Sequence, residues 1–298
     1  DASHPIVRRM IIDSLHYWVG EMHVDGFRFD LASVLARDES GQPLENPPIL
    51  WDIESDPALA GIKLIAEAWD AAGLYQVGSF STSARWAEWN GRYRDEVRRF
   101  VKGEPGMVRD LACRLLGSTD LVPESERLTY QCINFVTCHD GFTLNDLVSY
   151  NEKHNEANGE SNRDGANDNN SWNCGEEGPT DDPAIQSLRR RQIKNAWVML
   201  FVSQGVPMLL MGDEVRRSQG GNNNTWCQNN PLGWMHWQPD ADDLALRTYL
   251  KQKGVEFTRP KETLVIDRDR AADLGISMAD IGRNLATLLG GNDVNRFS

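Results

Sequence analysis

Cysteine is scarce. The chain carries five, at positions 113, 132, 138, 174 and 227, an odd number with no C-x-x-C spacing. That pattern suggests neither a disulfide framework nor a zinc cluster, and it fits a reducing, cytoplasmic compartment. Long apolar runs are missing as well. The most apolar stretch, Ala196 to Gly212, is broken by Ser203-Gln204-Gly205, so no segment nears the length of a membrane span. The opening Asp1-Ala2-Ser3-His4-Pro5 has no signal-peptide character. The sequons Asn169-Asn170-Ser171 and Asn223-Asn224-Thr225 therefore read as chance matches. Excess positive charge is also lacking: 31 basic residues stand against 44 acidic ones, a net charge of −13. A nucleic-acid partner would require a basic face, whereas a neutral substrate needs no steering field. Aromatic content runs the other way, with ten tryptophans. Their default role is core, but an indole face also suits a sugar ring.

At 298 residues the chain is long enough for one large α/β barrel or two ordinary domains. Its centre of gravity is Val24-Asp25-Gly26-Phe27-Arg28-Phe29-Asp30, an apolar run from Met22 that closes on a carboxylate. As a strand it puts Arg28 and Asp30 on one side, because side chains alternate with period two. Taken alone, the pair reads equally as a structural ion pair or as part of a site. Before it, Ser3 or His4 ahead of Pro5 marks a helix start. Val7, Ile11, Leu15 and Trp18 then recur at helical spacing, so the pattern predicts an amphipathic helix over 5–19.

Further strands are expected at Lys63–Glu67, at Cys132–Cys138 and at Val206–Met211, with an irregular one at Trp86–Tyr93. A helical turn or two is expected at Asp95–Lys102 and a helix over 184–203. Residues 37–61 hold Gly41 and four prolines, and read as loop with at most a short helix. Residues 151–183 are a long polar loop, of the kind that is functional or disordered. Strands alternating with helices imply parallel βαβ units, and a (β/α) barrel carries its active site at the C-terminal strand ends. Three of these ends deliver Asp30, Glu67 and Asp140. Retaining glycoside cleavage uses one carboxylate as nucleophile and one carboxylic acid, about 5–5.5 Å apart. Glu67, between Ala66, Ala68 and Trp69, is suited to be the acid, and Arg28 favours an ionised Asp30.

Three segments resemble the second, third and fourth signature regions of glycoside hydrolase family 13, the α-amylase superfamily. They are Val24–Ala32, Ala66–Asp70 and Phe135–Leu144. Within that family the chain is similar to isoamylase-type glycogen debranching enzymes. The features that carry this are Trp86–Asp95, the run LVSYNEKHNEANG from Leu147 and Gly220–Asn224. The resemblance spans Asp1 to about Gln252. It implies Asp30 as nucleophile, Glu67 as acid/base and Asp140 as transition-state stabiliser, with Arg28 and His139 lining the same subsite. The implied substrate is a branched α-glucan such as glycogen or limit dextrin, cut at α-1,6 linkages. No metal or cofactor is required. The acidic Asp164-to-Asp168 loop lacks the ligand spacing of a calcium loop and reads as a solvated rim of the cleft.

The family's first signature is absent, so the fold class is α/β: a partial (β/α)8 TIM barrel holding about strands 4–8 and lacking the first strands. The charge composition changes near Lys251. From Lys253 onward seven basic and seven acidic residues balance, and the segment reads as a strand at Glu262–Ile266 followed by a helix beginning near Ser277. Residues 253–298 resemble a porter-domain segment of resistance-nodulation-division efflux transporters, which implies a fusion or an assembly artefact. The domains are accordingly expected at 1–252 and 253–298. Two other readings stand beside the debranching hydrolase. One is an α-1,4-acting amylase or glucanotransferase, and the other is an inactive glucan-binding fragment.

Overall fold

The computed structural model describes residues 1–80, 83–121, 131–235 and 237–255. The chain divides after Lys253 into two units, and all that follows belongs to the first. The strand at Glu262–Ile266, the helix from Ser277 and the transporter resemblance lie outside the described residues. Helix α1, Pro5–Gly20, starts as its sequence requires, with the His4 side chain accepting from the backbone N–H of Ile6 and Pro5 at the first turn. Strand β1, Gly26–Phe29, follows.

The next elements are α2 (Pro48–Ser55), β2 (Lys63–Ala66) and β3 (Trp86–Trp89). After them come α3 (Gly91–Val101), α4 (Val108–Leu115) and β4 (Cys132–Phe135). The short α5 (Leu144–Leu147), α6 (Pro183–Val202), β5 (Val206–Met208) and α7 (Ala241–Gln252) complete the unit. No helix among the described residues is long and apolar enough to cross a membrane.

All five strands lie in one parallel sheet, in the order β1-β2-β3-β4-β5. Spatial order follows chain order without reversal. A doubly wound sheet, by contrast, reverses its order at a switch point. Successive right-handed crossovers therefore fall on one face of the sheet. That face carries Leu64, Ala66 and Trp86, packed with Phe27 and Phe29 of β1 against Ile11, Ile12 and Leu15 of α1 and Ile49, Leu50 and Ile53 of α2. The opposite face carries Ile65, Ala87, Trp89, Ile133, Phe135 and Met208.

The first strand is narrow for a reason. A Cβ on Gly26 would stand 2.8 Å from the Lys63 Cβ across the ladder, so only glycine lets β1 and β2 pair there. Asn90 explains why β3 ends sooner than its apolar pattern suggests. Its side chain accepts from the N–H of Tyr93 and caps α3, and its Nδ2 donates to Ser118 Oγ at 2.8 Å. The helix expected at Asp95–Lys102 consequently begins four residues earlier. Helix α6 is capped by Asp182, whose carboxylate accepts from the N–H groups of Ala184 and Ile185. Replacing Asp182 by Ala should cost about 1 kcal/mol of unfolding free energy, measurable as a lower denaturant midpoint at constant slope.

Candidate active site

Three of the five sequence-predicted residues sit within or immediately beyond the C-terminal ends of the neighbouring strands β1 and β2. Arg28 is in β1, Asp30 and Glu67 follow β1 and β2 by one residue, and His139 and Asp140 lie on the turn after β4. Pairing between β1 and β2 extends through the site, with the Glu67 N–H donating to the Phe29 carbonyl and the Ala32 N–H to the Glu67 carbonyl. The backbone thus fixes the spacing of the two carboxylates.

Arg28 is the hub. Its Nη1 donates to Asp30 Oδ1 at 2.8 Å, and its Nη2 stands 3.1 Å from Glu67 Oε1. The guanidinium lies over the Trp89 ring, 4.1 Å from its centroid, a cation–π contact that holds the fork flat. His139 Nε2 is 3.5 Å from both Asp30 Oδ1 and Asp140 Oδ1, so it bridges the two exposed carboxylates. One oxygen each of Asp30 and Glu67 and one nitrogen of His139 lie within 4.8 Å of one another. A cation could be held by such a trio. Here the Arg28 guanidinium already supplies positive charge between Asp30 and Glu67.

The carboxylates differ sharply in setting. The Asp30 and Asp140 side chains are 63% and 66% exposed, whereas that of Glu67 is 1% exposed. Burial pushes the Glu67 carboxyl above the usual carboxylate range, and neighbouring Asp30 adds to this. The Leu31 N–H, Arg28 and His139 oppose the rise. Glu67 Oε2 accepts from the Leu31 N–H at 2.8 Å. Oε1 is buried and faces Arg28 Nη2 at 3.1 Å, an ion pair without hydrogen-bond geometry.

Two further residues support the site beyond the five singled out from the sequence, although Trp89 falls within the Trp86–Asp95 run. Trp89, besides seating Arg28, lies 5.7 Å from the His139 ring, centroid to centroid. Its place on the same sheet face as Arg28 follows from the period of β3, once the pairing of β2 with β3 is known. Asp213, beyond β5, is 2% exposed. It accepts from the Thr137 hydroxyl and, at 3.0 Å, from the Leu144 N–H, and so clasps both ends of the turn that bears His139 and Asp140. Asp164, on the loop read as a rim, accepts from Asn158 and Asn224 side chains and takes part in an asparagine network rather than a carboxylate cluster.

No family model matches the chain. Among curated proteins it is 56% identical over 267 residues to the "Glycogen operon protein GlgX homolog" of Mycobacterium tuberculosis, covering 87% of this chain and 36% of that protein. It is 55% identical over 238 residues to "Isoamylase 3, chloroplastic" of rice, covering 80% of this chain and 30% of that protein. The chain thus spans about one third of the length of these relatives. Among solved structures, pullulanase from Bacillus acidopullulyticus superposes with a TM-score of 0.58 at 24% identity, over 84% of this chain and 28% of that one. This last likeness concerns the fold. None of these relatives supports the transporter resemblance of the tail.

Proposed function

We propose that residues 1–252 form the catalytic part of a debranching glycoside hydrolase, which cleaves α-1,6 linkages of glycogen or a related branched α-glucan with retention. The observation that carries this reading is the pairing of an exposed aspartate with a buried glutamate, its carboxyl pushed upward by burial, across one arginine. Similarity to proteins named isoamylase and glycogen operon protein supports the glucan and linkage. The five-stranded parallel sheet in chain order, with a pullulanase among its structural neighbours, supports assigning it to strands 4–8 of a (β/α)8 barrel. The compartment expected is the cytoplasm.

In this mechanism Asp30 attacks the anomeric carbon while Glu67 gives its carboxyl proton to the departing 6-hydroxyl oxygen. A covalent glycosyl ester on Asp30 and a free chain end result. Glu67, now ionised, takes a proton from water, whose oxygen displaces Asp30 and restores both carboxyl groups. Charge on the ring rises toward each transition state, and Asp140, held beside His139, stabilises it through the sugar hydroxyls. The neutral-to-anionic cycling of Glu67 is accommodated by Arg28 and the Leu31 N–H, which face its two oxygens.

The test is digestion of glycogen against linear maltohexaose, following reducing ends, with Asp30→Asn as control. Release from glycogen should dominate, and the variant should lose at least a thousandfold of the rate, in line with nucleophile removal. Faster release from maltohexaose would transfer the assignment to an α-1,4-acting enzyme. Equal rates for the chain and its variant would leave a glucan-binding fragment.

A further inference from the structure

We propose that a cavity between α6, the chain after α5 and the segment after β5 binds a phosphate group, carried on a sugar or free in solution. The site is separate from the carboxylate cluster, since Arg28, Asp30, Glu67, His139 and Asp140 take no part in its lining. The cavity has a volume of about 220 Å³, and its lining includes Ser149, Tyr150, Gln186, Arg189, Arg190 and Arg216. Three guanidinium groups thus face one space, and among the described residues no aspartate or glutamate lines it. In a chain of net charge −13, that concentration of positive charge runs against the composition.

Arg189 carries the argument. It is 8% exposed, and its guanidinium donates only to backbone carbonyls. Nε and Nη2 reach Asn173, Nη1 reaches Gly178 at 2.7 Å, and Nη2 also reaches Glu176 at 2.5 Å. Its hydrogen bonds are met while its charge is not. A buried cation without a counter-ion is costly, and an anionic ligand supplies one. Arg190 and Arg216 are held from the α7 side. Arg190 Nη1 donates to Asp242 at 2.8 Å, and Arg216 donates through Nε to Asp243 and through Nη2 to Asp240, both at 2.6 Å. Those contacts fix the two side chains and leave Arg190 Nε and Nη2 and Arg216 Nη1 as donors for a ligand.

The remaining wall adds neutral donors. Ser149 and Tyr150 are 4% and 7% exposed, and neither hydroxyl is engaged by another described residue. Donors therefore come from three chain segments and approach from different directions. A planar carboxylate offers two acceptor oxygens in one plane, whereas a phosphate monoester offers three in a tetrahedral array and carries more charge. Arginine suits it through paired N–H donors. The cavity is larger than the phosphate group itself. Gln186 Nε2 is committed to the Thr180 carbonyl at 2.7 Å, which leaves its amide oxygen as an acceptor for a sugar hydroxyl beside the phosphate.

Titration calorimetry of the chain with glucose 6-phosphate, inorganic phosphate, glucuronate and glucose provides the test. The two phosphate probes should bind, with glucuronate and glucose weaker by about tenfold or more. Tighter binding of glucose 6-phosphate than of inorganic phosphate assigns the site to a sugar phosphate, and any other order assigns it to free phosphate. Gln186→Glu sets a carboxylate one helical turn before Arg189 and Arg190, where such pairs support a helix, so the fold is kept while the anion meets a like charge. It should weaken both phosphate probes by about tenfold. Arg190→Gln removes one charged donor and should weaken them by about threefold to tenfold, which decides the matter alone should Gln186→Glu fail to fold. Asp30→Asn should leave phosphate binding unchanged, so the outcome is independent of the hydrolase reading. Unaltered affinity in both cavity variants overturns the proposal. So does loss of phosphate binding in Asp30→Asn, glucose or glucuronate binding as tightly as glucose 6-phosphate, or the absence of binding by both phosphate probes across the millimolar range.

Discussion

Glu67→Gln should lower kcat on glycogen by about 10²–10⁴, the range that a positioned general acid contributes, and leave KM nearly unchanged. Glutamine has the shape of glutamate and keeps an acceptor for the Leu31 N–H, which Glu67 Oε2 now engages at 2.8 Å. What it loses is the transferable carboxyl proton. The same substitution should change the pH–rate profile. Glu67 acts first as an acid, so activity requires its protonated form and declines as pH rises through its pKa. Burial holds that pKa above the usual carboxylate range, which moves this alkaline limb upward, toward the pH at which the cell operates. In the Gln variant the limb should vanish. An aryl α-glucoside with a stable phenolate leaving group needs less protonation, and its cleavage should fall far less than that of glycogen. A Gln variant that hydrolysed glycogen at the parent rate would remove Glu67 from the mechanism.

The candidate site residues were legible because each closes an apolar run with a charge. Arg28, Asp30 and Glu67 stand at the ends of strands whose neighbours are Phe, Ile and Ala, and no core needs a carboxylate there. The five strands and α1 follow from periodicity in the same way. The strands are nevertheless shorter than their apolar runs. The first ladder begins at Gly26↔Lys63 and β4 pairs with β5 only through Phe135↔Met208. Register with a neighbour sets the length of a strand, and register is not written in one segment. Helix α7 escaped sequence reading because its capping box uses Asp243, rather than Glu or Gln, three residues after Asp240. The loop at 151–183 was recognised as polar and irregular. Its order could not be read, because the bonds from Asn155 and Asn158 to Asn222, Asn223 and Asn224 span 64 to 68 residues. Asp213 was hidden for the same reason: its partners Thr137 and Leu144 are 76 and 69 residues away.

That concealed carboxylate gives the largest stability effect expected of any single substitution considered above. Asp213→Ala should destabilise the protein by about 2–6 kcal/mol, since it strands the Leu144 N–H and the Thr137 hydroxyl in a buried site at about 1–3 kcal/mol each. The turn bearing His139 and Asp140 would lose both clasps, so activity should fall at temperatures where the variant remains folded. Asp213→Asn separates packing from charge, because the amide can still accept from Leu144 while it cannot ionise. Burial raises the Asp213 carboxyl to about 6, against the hydrogen bonds from Thr137 and Leu144 and the charge of Arg217, with Glu214 adding to the rise. Arg98 is a further charge that Asp213 influences. A carboxyl whose folded pKa lies above its unfolded value near 4 binds its proton more tightly in the native state. Its contribution to stability is complete below about pH 4 and is lost as pH climbs through about 6. At about 1.4 kcal/mol per pKa unit, the loss amounts to about 3 kcal/mol. Urea unfolding of the parent should show that decline between pH 4 and 6 superimposed on the titration of other groups, and Asp213→Asn should flatten it by the same amount. A parallel pair of curves would mean that Asp213 holds the His139–Asp140 turn as a permanently charged acceptor.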